Sequence, residues 1–238
     1  DREGERIMRY SMIINLHDCV GCGCCDIACA QENQAPAGVH LGYHQSEMSG
    51  TFPKVSYTYR PVMCNHCANA ACVKACPTAA MHKDANGLTV VDVAACTQCG
   101  RCAKACPYGA ITPAPAETAA GQIGAVPQLL QGTASGADLQ KAAKKDYPPH
   151  DNALDAYSLP ITAVGGPLKC QMCRHLVDNG DVPRCVEACP ANARTFGDMD
   201  DIYSDVYKLR QEYEASVLLP DEGTLPGVYY IREFKKTW

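Results

Sequence analysis

Cys96-Thr97-Gln98-Cys99-Gly100-Arg101-Cys102-Ala103-Lys104-Ala105-Cys106-Pro107 constrains this chain more than any other stretch. Its spacing, C-x2-C-x2-C-x3-C-P, puts three thiols on one tight turn and a fourth at the start of the next segment. Thiols that close suit chelation of a shared centre. Proline after the last cysteine fixes φ and donates no N–H, so it starts a turn away from that centre. Three more groups follow the same plan. Cys19, Cys22, Cys25 and Cys29 repeat the spacing, with Ala30 in place of the proline. Cys64, Cys67, Cys72 and Cys76-Pro77 widen the second gap to x4. Cys170, Cys173, Cys185 and Cys189-Pro190 keep both end pairs but hold eleven residues between them. Of the 17 cysteines, Cys24 alone fits no slot. It reads as a small buried hydrophobe, with a spare ligand as the alternative.

An odd number of cysteines in four tight groups is unlike a disulfide scaffold, whose cysteines are scattered pairs. One C-x2-C pair would read as half of a zinc ribbon. Zinc does not explain two C-x2-C-x2-C-x3-C runs and three C-x3-C-P endings. The run resembles the one that holds an iron–sulfur cluster in bacterial ferredoxins. Every slot is cysteine, the soft ligand such clusters need, so four 4Fe–4S clusters are expected rather than a mixture with a three-iron one. In two-cluster ferredoxins the fourth cysteine of a run reaches across to the other cluster. That rule implies four ligand sets: cluster A, Cys19, Cys22, Cys25 and Cys189; cluster B, Cys170, Cys173, Cys185 and Cys29; cluster C, Cys64, Cys67, Cys72 and Cys106; cluster D, Cys96, Cys99, Cys102 and Cys76. Each set ties two distant segments, so cluster insertion and folding are expected to be one event.

The crossing of ligands predicts an α+β fold of two nested bacterial-ferredoxin-like domains, each holding two 4Fe–4S clusters. Residues 1–54 with 167–197 form the outer domain and 55–111 the inner one. Residues 112–166 are an irregular insertion, rich in Pro, Ala and Gly, with a helical turn or two over Leu139–Lys145. It lies along a partner subunit or forms a mobile surface loop. Residues 198–238 are a C-terminal extension. Arg9–Leu16, Val55–Tyr59 and Val228–Ile231 read as strands, Met81–Val91 as a hairpin turning at Asn86-Gly87, and Pro107–Ile111 as the start of a short strand. Residues 31–53 read as a loop carrying His40 and His44. Arg174–Gly180 reads as a turn or short helix, and Asp198–Tyr213 as an amphipathic helix with Ile202, Val206 and Leu209 on its apolar face.

Large side chains are scarce, with Trp 1 and Phe 3 in 238 residues, so bound metal is an expected source of stability. The formal charge of −5 becomes more negative by about 8 once four clusters and their thiolates are counted, which excludes nucleic acid as a natural partner. Lys74, Lys104 and Arg101 either offset that charge or are solvated helix faces. No stretch is apolar enough to span a membrane. The start, Asp1–Arg6, is charged without an apolar run behind it, so no signal peptide is expected. There is no nucleotide-binding glycine motif, no Ser/His/Asp set and no flavin motif, and a cluster with four protein ligands leaves no iron open to substrate. Catalytic residues: none are expected, and the chain reads as an electron carrier.

Four cysteine groups in this order, the fourth one split, resemble the iron–sulfur electron-transfer subunits of molybdopterin oxidoreductases of the dimethyl sulfoxide reductase family. The resemblance covers residues 8–111 and 167–234. Gly50-Thr51-Phe52-Pro53, Cys64-Asn65-His66-Cys67, Ala80-Met81-His82-Lys83-Asp84 and Val228-Tyr229-Tyr230-Ile231 look most like the small subunits of respiratory arsenate reductases. The resemblance implies a non-catalytic subunit in anaerobic respiration. Its large catalytic partner holds a molybdenum bis-pterin cofactor and faces cluster A, and cluster D meets a quinol-linked membrane subunit or a soluble cytochrome. It also implies export with the large subunit to the periplasm or the outer face of the cytoplasmic membrane, with a cytoplasmic location as the alternative. Related small subunits serve catechol dehydroxylases, transhydroxylases, and polysulfide and tetrathionate reductases. A freestanding polyferredoxin and a zinc-dependent interaction module are the competing readings.

Overall fold

The computed structural model of the protein describes residues 8–33, 35, 39–113, 134–143 and 166–232. It is a mixed α and β structure built outward from one strand. β1 (Tyr10–Asn15, YSMIIN) is central in a three-stranded sheet of order β6-β1-β7. β6 (Arg194–Asp198) runs antiparallel to it, with Ile14 opposite Arg194, and β7 (Val228–Ile231) runs parallel, with Met12 opposite Val228. Side chains alternate across a strand, so β1 serves two cores at once. Met12, Ile14 and Leu16 pack with Val228 and Tyr230 against the thiols of Cys25, Cys64, Cys170 and Cys185. Ile13 packs on the opposite face with Tyr229, Ile231, Met199 and Val206. A strand covered on both faces reads as an apolar run, and Met12–Ile14 in its middle do.

A second unit holds the two-stranded sheet of β4 (Met81–Lys83) and β5 (Thr89–Val91), as the sequence predicts. Gly87 supplies the positive φ of the turn; Asn86 does not. Met81, Val91 and Ile111 form its core with Cys67, Cys72, Cys76, Cys102 and Cys106.

Several expectations are corrected. Residues 31–53 are not a loop throughout: β2 (Gly42–Thr51) pairs with β3 (Lys54–Met63) along its whole length. β2 carries almost no apolar alternation. The better strand former β3 templates it, and the pair stands largely in solvent. Midway along the pair Tyr59 Oη donates to the Cys19 carbonyl, and near its base Tyr43 Oη donates to that of Tyr108 at 2.8 Å. Pro107–Ile111 starts no strand; Thr112 makes an isolated bridge to Leu168, exchanging N–H···O bonds of 2.8 and 2.7 Å. The helix expected over Asp198–Tyr213 is shorter, Asp205–Glu212. Ser204 caps it, accepting the Tyr207 N–H at 3.2 Å, so Ile202 falls in the preceding turn and is 56% exposed. The helices Cys24–Glu32 and Arg174–Val177 flank the sheet; the second was anticipated and the first was not. Most of 112–166 lies outside the described residues, which include only the helix Gly136–Ala143 from its interior.

Ile14→Ala removes a fully buried chain from beside the thiols and is expected to cost about 2–5 kcal/mol. Met48→Ala, at a site 73% exposed on β2, should change stability by no more than about 0.5 kcal/mol. Chemical denaturation of the cluster-loaded protein, followed by circular dichroism, measures both.

Candidate iron–sulfur centres

Each of the four C-x2-C turns contains a left-handed residue at the same place, directly before its second cysteine. These are Gly21 (φ 67°), His66 (φ 45°), Gln98 (φ 56°) and Met172 (φ 58°). Only one is glycine, so three turns hold a side chain in a sparsely populated region, the kind of strain that functional sites keep. The turn aims a backbone N–H at the first thiol. Gln98 N–H donates to Cys96 Sγ at 3.4 Å and Met172 N–H to Cys170 Sγ at 3.3 Å. The Cys-Pro ends do likewise: Met81 N–H reaches Cys76 Sγ at 3.4 Å and Ala193 N–H reaches Cys189 Sγ at 3.3 Å.

The thiols gather across the sequence rather than within it. One cavity is lined by Cys96, Cys99 and Cys102 together with Cys76. A second is lined by Cys170, Cys173 and Cys185 together with Cys29 and Cys25. A third is lined by Cys19, Cys22 and Cys25 together with Cys189 and Cys24. Cys72 is pushed up to about 11 by burial and by its neighbours Cys64, Cys106 and Cys67. Cys173 is pushed up to about 12 by burial and by Cys185. Burial, with Cys173 and Cys185 beside it, also drives Cys29 far upward. Thiols held this way resist ionising beside one another, and only a bound cation makes a common thiolate site stable.

The remaining expected residues fall out as follows. Cys24 is half-buried rather than buried, next to the exposed Cys22 on the rim of the third cavity. His40 is exposed. His44 is tied by Nδ1 to Asp26 at 2.5 Å beside Cys25, which raises it to about 9. Lys74, Arg101 and Lys104 are exposed. The cations that do approach the thiols are buried or half-buried, and the sequence reading missed them. Lys169 is wholly buried, and its Nζ donates to the carbonyls of Thr89 and Cys170. Lys83 Nζ donates to the carbonyls of His66 and Cys67, 3.0 Å each. Arg194 Nη2 lies 3.2 Å from Cys25 Sγ.

The residues fit 4Fe–4S groups. Thiols converge in sets, N–H groups already point at sulfur, and the walls are apolar. Asn65 and Gln171 each follow the first cysteine of a turn and bury carboxamides that find no partner among the described residues. A polar group seated beside these turns would satisfy them.

Glu32 locks group one to group four. It accepts from His175 Nε2 at 2.6 Å and Arg184 Nε at 2.8 Å, with its side chain 7% exposed. Burial alone would raise its pKa, but these two donors hold it below the usual carboxylate range. The stabilisation is therefore present above the unfolded-state value and is lost as pH falls through the depressed one. Glu32→Ala is expected to cost roughly 3–5 kcal/mol by stranding both donors. Thermal unfolding between neutral and acid pH should show the gap to wild type closing at low pH.

A family model described as a 4Fe–4S dicluster domain matches residues 55–122 and 161–199. The chain is 42% identical over 228 residues to the arsenate respiratory reductase iron–sulfur subunit of Shewanella sp. (strain ANA-3), covering 95% of this chain and 97% of that one. It is 32% identical over 224 residues to a selenate reductase subunit of Mesobacillus selenatarsenatis, covering 94% of this chain and 72% of the other. Against a tetrathionate reductase subunit of Salmonella typhimurium the identity is 30% over 234 residues, with 96% and 74% covered. The thiol sets, the dicluster match and kinship along nearly the whole chain place it in a family: it belongs to the iron–sulfur subunits of dimethyl sulfoxide reductase-type oxidoreductases, which transfer electrons and perform no catalysis of their own.

Proposed function

We propose that this subunit holds four 4Fe–4S clusters on the sets Cys19/Cys22/Cys25/Cys189, Cys29/Cys170/Cys173/Cys185, Cys64/Cys67/Cys72/Cys106 and Cys76/Cys96/Cys99/Cys102. It relays electrons between a catalytic subunit with a molybdenum bis-pterin cofactor and a quinol-linked membrane subunit or a soluble cytochrome. The observation that carries the reading is the gradient of thiol exposure. Cys22 in the first set and Cys99 in the last are exposed, whereas Cys170, Cys173 and Cys185 in the second and Cys64 and Cys72 in the third are buried. A relay needs that profile: two ends that reach partners and a middle shielded from water. Neighbouring sets also share walls. Cys25 lines both outer cavities, and one apolar core joins Cys67, Cys72 and Cys106 with Cys76 and Cys102. When bound, such clusters supply one-electron carriers.

The catalytic partner docks at the first set, where Val20 (64% exposed) and Ile27 (62%) flank Cys22. The terminal acceptor is arsenate, which the 42% identical relative supports through its name. Kinship also supports a site of action at the periplasmic or outer face of the membrane, and an insertion over 112–166 that contacts a partner. A freestanding polyferredoxin is the alternative.

Isolation of the native complex separates these readings. Molybdenum in a large co-purifying subunit, and arsenate-dependent reoxidation of the reduced complex, are the expected results. A lone monomer active with many soluble partners would sink the proposal. For the ligand sets, Cys76→Ser should abolish the same EPR signal as Cys102→Ser, and Cys106→Ser the same one as Cys72→Ser. Each should lower iron by about a quarter. Cys24→Ser should leave iron unchanged. Iron chelation should unfold the chain.

A further inference from the structure

The three Cys-Pro ends belong to a longer repeat. It reads Cys76-Pro77-Thr78-Ala79-Ala80-Met81, Cys106-Pro107-Tyr108-Gly109-Ala110-Ile111 and Cys189-Pro190-Ala191-Asn192-Ala193-Arg194. The last position is buried each time: Met81 is 1% exposed, Ile111 5% and Arg194 6%. Two repeats fill that slot with an apolar chain packed against thiols, and the third fills it with a guanidinium.

Arg194 opens β6 opposite Ile14, and its side chain passes between the two outer thiol sets. Nη2 lies 3.2 Å from Cys25 Sγ, and Nη1 lies 3.7 Å from Cys185 Sγ and 3.6 Å from Met12 Sδ. The residue lines both outer cavities. Among the described residues no carboxylate forms an ion pair with it. A buried guanidinium is always charged, and leaving it unpaired is costly. The groups bonded to it that can carry negative charge are two cysteine sulfurs, one from each set, and as thiolates they are its counter-ions.

We propose that Arg194 is a positioning residue shared by the two outer centres, donating to a ligand sulfur of each and raising the reduction potentials of both together. The proposal rests on the ligand sets proposed above. One-electron reduction adds one negative charge to a centre, and a fixed cation at hydrogen-bond distance favours that state over the oxidised one. Met81 and Ile111 occupy the matching slots of the inner unit and give no such bias. Lys83 and Lys169 near the inner thiols bond backbone carbonyls, so a direct cation-to-sulfur contact sets the outer pair apart among the described residues.

EPR-monitored potentiometric titration of the native complex tests this, using Arg194→Met, which installs the residue of the Met81 slot, and Arg194→Lys. The Met variant should keep its iron and acid-labile sulfide, and two midpoint potentials should fall together while the others hold. The Lys variant keeps the charge but loses the fork, so its shifts should be smaller. Unchanged potentials in an iron-replete Met variant would overturn the proposal. A second measurement needs no variant. In wild-type complex carrying guanidino-15N-arginine, pulsed EPR of the reduced outer centres should show a 15N coupling, and its absence would overturn the contact. The ligand sets fail on a different result: both outer signals surviving in Cys29→Ser would overturn the sets and the role of Arg194 together.

Discussion

Mutual repulsion among crowded thiolates governs this structure. Thiols from segments far apart in sequence are drawn into apolar surroundings where each makes its neighbours harder to ionise. That is stable only around a cationic core. The fold supplies what the thiols cannot: left-handed turns that aim N–H groups at sulfur, and the buried Lys169 and Arg194 with the half-buried Lys83 set behind them. Two of the three largest cores are partly made of the cysteines themselves.

The same dependence explains β1. An apolar strand with a core on each face joins the thiol-bearing side of the outer unit to the side closed by the helix Asp205–Glu212. Thus the segment after 198 is part of the sheet as well as a tail, because β7 completes it. The two units share the larger core, which takes in Cys64, Leu88, Val90 and Tyr108, and polar links add to it. Lys169 spans from the fourth cysteine group to β5, and Arg174 reaches Asp84 in the inner hairpin at 2.6 Å.

What could be read from the residues alone was whatever local chemistry dictates. The cysteine spacings, β1, the Asn86-Gly87 hairpin and β7 all carry their signal within a few residues. β2 carried none, since its pairing is imposed by β3. The helix Cys24–Glu32 was hidden because cysteine and alanine say little about period, and its start depends on Gly23 taking φ 75°. The length of the Asp205–Glu212 helix turned on Ser204, whose capping role competes with the apolar spacing upstream. Around the sites, the exposed cations next to cysteines drew attention while Lys169, Lys83 and Arg194 did not, because burial is a tertiary fact. Arg194 did leave a trace. Aligning the three Cys-Pro repeats exposes it as the one charge in an apolar slot.

The parallel pairing of β7 with β1 bears on how the chain is made. β4, β5 and the eight group-two and group-three cysteines have all been synthesised by residue 111. The outer unit has its first thiols by residue 29, yet lacks both neighbours of β1 until residues 194–198 and 228–231 appear. The segment carrying groups two and three is therefore made well before β1 gains either neighbour, and until then β1 is an apolar strand with two open edges. β1 is made before β4 and β5 and closed after them.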